Sequence, residues 1–136
     1  MNQPKVLVVG ATGKTGSRTA SLLLNSSNVL LRLGVRDPSK VSAKLATGAE
    51  VMKFDWADET SIATLFQGVE RAFLVFPMIP SGWSELVKKA ITAAQHAGTK
   101  FVCVVSASGA NPDAQMWVGK EHGLSEQHVK TSGLQY

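Results

Sequence analysis

The sequence predicts an α/β fold: a parallel β-sheet in the order 3-2-1-4-5 with helices on both faces, a three-layer sandwich. Three observations predict it. Five short aliphatic runs recur along the chain, each bounded by polar, glycine or proline residues. Between them the apolar spacing lengthens to that of a helix, so strand and helix alternate throughout. The first run leads directly into three glycines at three-residue intervals. Parallel neighbours need a crossover, usually a helix, so this alternation implies a sheet covered on both sides. The strand order is the one expected of such a doubly wound sheet.

The first strand is KVLVV, 5–9, a continuous apolar run of the kind buried on both faces. A helix follows over 15–25, with Ala20, Leu23 and Leu24 at helical spacing, and Asn25, Ser26, Ser27 and Asn28 close it. VLLRLGV, 29–35, is the second strand. Asp37-Pro38-Ser39-Lys40 reads as a turn into a short helix, because proline suits a first helical position. EVMKF, 50–54, is the third strand, and Ile62, Leu65, Phe66 and Val69 then give an amphipathic stripe stopped by Gly68. RAFLVF, 71–76, is the fourth strand, ended by Pro77. The strongest helix, 84–97, carries Leu86, Val87, Ala90, Ile91 and Ala94 on one face, with Gly98 in the C′ position. KFVCVV, 100–105, is the fifth strand, 110–117 a loop, and 119–132 a mostly polar helix. The length suits one domain, 1–136, with no repeat or linker.

Hydrophobic residues make up 44% and charged residues 18%, a balance that excludes a disordered chain. The net charge of +4 comes from lysines and arginines scattered along the sequence, without a basic run or zinc-finger spacing. Nucleic acid is therefore not the expected partner, and a phosphorylated small molecule explains the charge as well. A single cysteine, Cys103, excludes an intrachain disulfide, and within FVCVV it reads as a small buried hydrophobe. No charged leader precedes a long apolar stretch, and nowhere do eighteen apolar residues run together. No membrane partner is expected, and the expected compartment is the cytoplasm.

The glycine turn carries the chemistry. In a sheet of this order, ligands sit beyond the carboxyl ends of the strands, where the winding reverses between strands 1 and 4. The turn at 10–16 stands there, between a strand and a helix whose unpaired N–H groups and dipole attract phosphate. Gly10 permits the tight turn, Gly13 lets a pyrophosphate approach the backbone, and Gly16 lets the helix pack on the strand. The spacing is G-x-x-G-x-x-G, and its strand–turn–helix context marks a dinucleotide site. Which dinucleotide depends on the end of strand 2, which reads GVRDPSK. Arg36 suits the 2′-phosphate of NADP(H). Asp37 beside it would favour NAD(H) if it were the residue facing the ribose. Lys14 and Lys40 either assist the phosphate or are solvated surface lysines.

GATGKTG, GVRDPSK, FDWAD, FLVFP, VVSASGAN and H-x-x-x-E-x-x-x-x-x-SGLQY, in that order, resemble the NmrA-like branch of the atypical short-chain dehydrogenases. That family includes NADPH-dependent quinone reductases and NADP-sensing regulators. The resemblance implies a Rossmann fold with Gly10, Thr12, Gly13, Lys14, Thr15 and Gly16 around the pyrophosphate and Arg36 at the 2′-phosphate. It implies Asp55 and Trp56 near adenine, Phe76 and Pro77 beside the nicotinamide-side ribose, and Ser106 and Ser108 facing the nicotinamide.

Two departures shape the functional expectation. The Tyr-x-x-x-Lys pair of short-chain dehydrogenases is replaced by Val118 and His122, and the only tyrosine is Tyr136. His122 is then the proton carrier to consider, with Ser106, against the plainer reading of an exposed histidine on a polar helix. His128 is a weaker case, and His96 reads as a favourable charge at a helix end. Secondly, the sequence resembles the amino-terminal half of the family, which implies most of the cofactor site and little of what selects a substrate. The edge of strand 5 is then open to pairing with a second copy of the chain. Two functions fit: an oxidoreductase, or its cofactor half, passing hydride from NADPH to a quinone-like acceptor, or a redox-sensing regulator that binds NADP(H) and a protein partner without turnover.

Overall fold

A computed structural model describes residues 2–26 and 28–136; Ser27, read from sequence as part of the close of the first helix, lies outside the described residues. The aliphatic runs become the strands β1 (Lys5–Val9), β2 (Leu30–Val35), β3 (Glu50–Lys53), β4 (Arg71–Leu74) and β5 (Phe101–Val104). They form one parallel sheet in the order β3-β2-β1-β4-β5. The helices between and after them are α1 (Lys14–Asn25), α2 (Ala43–Gly48), α3 (Glu59–Phe66), α4 (Trp83–Ala97) and α5 (Trp117–Lys130).

Side chains alternate across a strand, so β1 feeds two cores. Leu7 and Val9 pack with Ile62, Leu65, Phe66, Val87 and Ala90 beneath α3 and α4, joined by Val129 of α5. Val8 packs with Ala20, Leu33 and Leu45 beneath α1 and α2. Each of the larger aliphatic and aromatic side chains contributes about 1.5–3 kcal/mol on burial, so the central strand is strongly held.

One charged residue lies inside the sheet. Arg32 of β2 is buried, and its guanidinium donates to the carbonyls of Leu65 and Gln67 at 2.7 and 2.8 Å. These carbonyls belong to the end of α3, where a helix lacks its own donors. The same guanidinium donates to the Glu50 carboxylate at 2.9 Å, and Lys5 reaches that carboxylate at 3.2 Å.

The structure differs from the sequence expectation in four places. The short helix after Pro38 is a single 3₁₀ turn, Pro38–Lys40, and a further helix, α2, follows it, started by the Ser42 hydroxyl accepting from the Leu45 N–H. Helix α5 begins at Trp117, inside the expected loop. It also buries polar residues, Glu121, His122 and Ser125, so His122 is not exposed. The reason is that this face of α5 packs on α4, with the Glu121 carboxylate on the Ser84 N–H and the His122 ring on Trp83. Next to it Gly123, where a Cβ would stand 2.2 Å from Asn111 C and Pro112 N, lets the preceding loop lie on the helix. Finally, Cys103 is exposed. Its neighbour Val102 is buried on the three-helix side, so Cys103 faces the other side, where α1 packs over β1 and β2.

The β5 edge is partly used. Gln135 donates to the Lys100 carbonyl at 3.1 Å and accepts from Val102 N–H at 2.9 Å, a parallel bridge that adds a sixth strand position. Among the described residues no helix is long and apolar enough to cross a membrane.

Candidate functional site

The turn after β1 is shaped by what its glycines lack. Gly10 has φ +84°, and a Cβ there would meet the Val75 Cβ and carbonyl oxygen at 2.9 Å. Gly16 is buried, and a Cβ would stand 2.0 Å from the Gly10 oxygen, so α1 sits directly on the turn. Gly13 is different. A Cβ there would come no nearer than 3.4 Å to any protein atom, an ordinary contact. The protein's own packing does not require glycine at 13.

Helix α1 also lacks a cap. Gly13 offers no side chain, and its first turn holds no acidic residue. The 3₁₀ turn, α2 and α3, by contrast, are capped by Asp37, Ser42 and Asp58. The N-terminus of α1 therefore presents its unpaired N–H groups without a side-chain cap at Gly13, as α5 does at Met116, and at α1 these groups lie beside the glycine turn.

A cavity of about 220 Å³ lies beside this turn at the carboxyl ends of β1, β2 and β4. Gly10, Thr12, Gly13, Arg36, Trp56, Phe76 and Pro77 line it, which brings together seven of the residues singled out in the sequence. The Trp56 ring stands edge-on to Phe54 at 4.8 Å and tilted over Phe76 at 5.2 Å, making an aromatic wall. Lys14, Thr15 and Gly16 form the first turn of α1 and are not in the lining. Asp55 is outside it too; its carboxylate accepts the Ala57 N–H at 2.9 Å and so shapes the loop that carries Trp56.

Arg36 and Asp37 part company. Arg36 lines the cavity, while the Asp37 carboxylate accepts both the Ser39 hydroxyl at 2.6 Å and the Ser39 N–H at 3.1 Å. The Ser39 hydroxyl, with its N–H, holds the Asp37 carboxyl below the usual range. The acidic group is thus committed to capping the 3₁₀ turn, and the guanidinium is the charged group on the cavity.

A second cavity, about 250 Å³, meets the first at Val75 and Phe76. Its walls are mostly apolar, with Met78, Trp83, Val87 and Val104, and its polar side chains are Ser106, His122 and Ser125. Ser108 lines neither cavity. The His122 ring packs edge-to-face on Trp83 at 4.8 Å. Burial lowers the His122 pKa below the ordinary imidazole value, against the opposing pull of Glu126. The Ser106 hydroxyl donates to Glu126 Oε1 at 2.7 Å, and Lys130 donates to Glu126 Oε2 at 3.4 Å.

Two residues of this region were not singled out in the sequence: Trp83, the floor for His122, and Glu121, which holds the start of α4. Glu126, the acidic residue of the H-x-x-x-E motif, was quoted there without a role; it bonds Ser106 and stands between His122 and Lys130 on one helix face.

Comparison with known proteins agrees with this geometry. Over 129 residues the chain is 31% identical to NAD(P)H azoreductase of Xenophilus azovorans, covering 95% of this chain and 44% of that protein. It is 31% identical over 125 residues to the NmrA-like family domain-containing oxidoreductase FrzB of a Cladobotryum species, covering 85% and 36%. The crystal structure of the NADPH-dependent quinone oxidoreductase QOR2 of Escherichia coli, complexed with NADPH, superposes with a TM-score of 0.79 at 27% identity, covering 95% and 46%. The chain thus spans less than half the length of each. The sequence model described as NAD(P)H-binding matches residues 10–136, from the first glycine of the turn to Tyr136. The chain belongs to this NAD(P)H-binding family.

Proposed function

We propose that the chain is the cofactor-holding part of an NADPH-dependent reductase that serves a quinone-like or other electron-poor acceptor. The observation that carries this reading is the separation of Arg36, on the cavity, from Asp37, tied to Ser39. A guanidinium left facing the end of β2 suits a 2′-phosphate, whereas a ribose hydroxyl calls for a free carboxylate.

In this reading Gly10, Thr12 and Gly13, with the first turn of α1 from Lys14 through Thr15 to Gly16, hold the pyrophosphate. Trp56 lies along the adenine, with Asp55 keeping its loop in place. Phe76 and Pro77 flank the nicotinamide-side ribose, and Ser106 and Ser108 belong to the nicotinamide end. When bound, the nicotinamide supplies a hydride. The chain's part is to orient the ring and keep it dry, which the apolar walls of the second cavity favour. A quinone oxygen also takes a proton, and His122, kept neutral in part by burial, is the side chain placed to pass one from solvent. The missing Tyr-x-x-x-Lys pair would suit a regulator without turnover, but the azoreductase and quinone oxidoreductase names among its relatives support turnover.

The experiment is calorimetric titration with NADPH and with NADH, repeated on Arg36→Ala. NADPH should bind more tightly, and the variant should lose about tenfold or more for NADPH with little change for NADH, as expected for losing a charged hydrogen-bond pair. Equal losses for both nucleotides would remove Arg36 from the 2′-phosphate. Turnover of a simple benzoquinone with NADPH then tests the reductase reading itself.

A further inference from the structure

We infer that Glu126 is a positioning residue that turns Ser106 into a hydrogen-bond acceptor toward the second cavity, so that Ser106 selects ligands presenting an N–H or O–H there. The inference rests on the cofactor reading above for the ligand, though not for the hydrogen bond.

A serine hydroxyl has one proton and two lone pairs. An ionised carboxylate only accepts. Glu126 is held in its ionised form by the Ser106 hydroxyl, first, and by Lys130. At 2.7 Å the Ser106 proton therefore lies on the line to Glu126 Oε1. With that proton engaged, Ser106 has only lone pairs left for the cavity it lines. It is thus unsuited to stabilise a carbonyl oxygen or to give up a proton to an acceptor. Those tasks are left to His122, the ionisable side chain on the cavity wall.

The consequence concerns the reactive end of the cofactor. A nicotinamide carries a carboxamide, whose NH₂ is the donor that a lone-pair-only serine would take, and whose C=O it would turn away. Ser106 would then set which face of the ring looks into the cavity, through a group that Glu126 orients one turn from His122.

Two measurements on the full chain test this. The first needs no nucleotide: the Glu126 carboxyl is titrated by ¹³C NMR in the native protein and in Ser106→Ala. The Glu126 midpoint should rise in the variant, and an unchanged midpoint overturns the hydrogen bond and the inference with it. The second compares affinity for NADP⁺ with that for its 3-acetylpyridine analogue, in which the carboxamide NH₂ is replaced by methyl. The native chain should prefer NADP⁺ by about three- to tenfold, the worth of one neutral hydrogen bond. Ser106→Ala and Glu126→Ala should both bring the ratio toward one, and Ser106→Thr should keep it. General damage to the site would weaken both ligands together and leave the ratio alone. A ratio unchanged in both alanine variants overturns the inference. Failure of the native chain to bind NADP⁺ at all sinks the cofactor reading, while the NMR titration still decides the state of Ser106.

Discussion

The carboxylate of Glu121, on α5, accepts the backbone N–H of Ser84 across 2.8 Å and so closes the start of α4. Gly82, the residue before that helix, provides no side-chain cap of its own. One helix is therefore capped by another 37 residues away, and the bond is buried. Glu121→Ala should lower stability by about 1–3 kcal/mol, the cost of leaving a buried donor unmet, as read from urea midpoints. Glu121→Gln should cost less, because its amide oxygen still accepts. Burial raises the Glu121 pKa, but the Ser84 N–H and hydroxyl, with the Gly82 N–H and the Lys120 charge, outweigh it and leave the pKa below the ordinary value. A carboxylate depressed in the fold stabilises above its unfolded pKa and ceases to do so as pH falls through the folded value. The gap between native and Glu121→Gln midpoints should thus be full at neutral pH and close in acid.

Gly13 and Gly16 should separate binding from folding. Gly16→Ala drives a methyl group into the Gly10 carbonyl and should unfold or severely destabilise the chain, by about 3 kcal/mol or more. Gly13→Ala meets no protein atom closer than 3.4 Å and should melt within a few degrees of native. The same variant should lose nucleotide binding, because the methyl group occupies the approach to the turn. Thermal melts and a nucleotide titration on both variants check this. A Gly13→Ala protein that binds normally would remove the turn from the cofactor site.

Arg32 anchors the sheet to α3. Arg32→Met keeps much of the apolar stem but strands the Leu65 and Gln67 carbonyls and leaves Glu50 with Lys5 alone. A loss of about 2–4 kcal/mol is expected from denaturant unfolding, since two acceptors lose a charged donor. Nucleotide affinity measured on the folded fraction should be unaffected, because Arg32 is not in the cavity lining.

His122 gives the opposite pH sign to an ion-paired histidine. Its pKa is lowered in the fold, with burial as the larger cause and Glu126 opposing it. The unfolded chain therefore binds that proton more readily, and stability should fall as pH drops from the ordinary imidazole range toward the folded value. Melting temperatures between pH 7 and pH 5 should fall less steeply in His122→Asn than in the native chain. A steeper fall in the variant would mean that Glu126, not burial, governs the ring.

The strands were legible because a strand buried on both faces must be apolar throughout, and KVLVV says so without context. The glycine turn was legible because its spacing sits between a strand and a helix. Helix α2 was not, since six residues with Leu45 as the one buried side chain are too short to show a period. Cys103 misled for a related reason: FVCVV records apolar character, while exposure depends on which side of the edge strand the helices leave bare. His122 looked solvent-facing because α5 is polar, and its burial depends on Trp83 of α4, 39 residues earlier in the chain, against which its ring packs. Glu126 lay in plain view as a spacing, but its partner Ser106 is 20 residues away and only the packing of α5 beside β5 joins them.

Cys103 then has a practical meaning. The chain has one thiol, on β5, and it is exposed. Ellman's reagent should titrate it in the native state, where a thiol inside the core would wait for unfolding. A fluorophore attached there would sit on the α1 side of the edge strand, across the sheet from the second cavity, on an otherwise unaltered sequence, so unfolding of the sheet edge becomes readable as an emission change with no engineered cysteine.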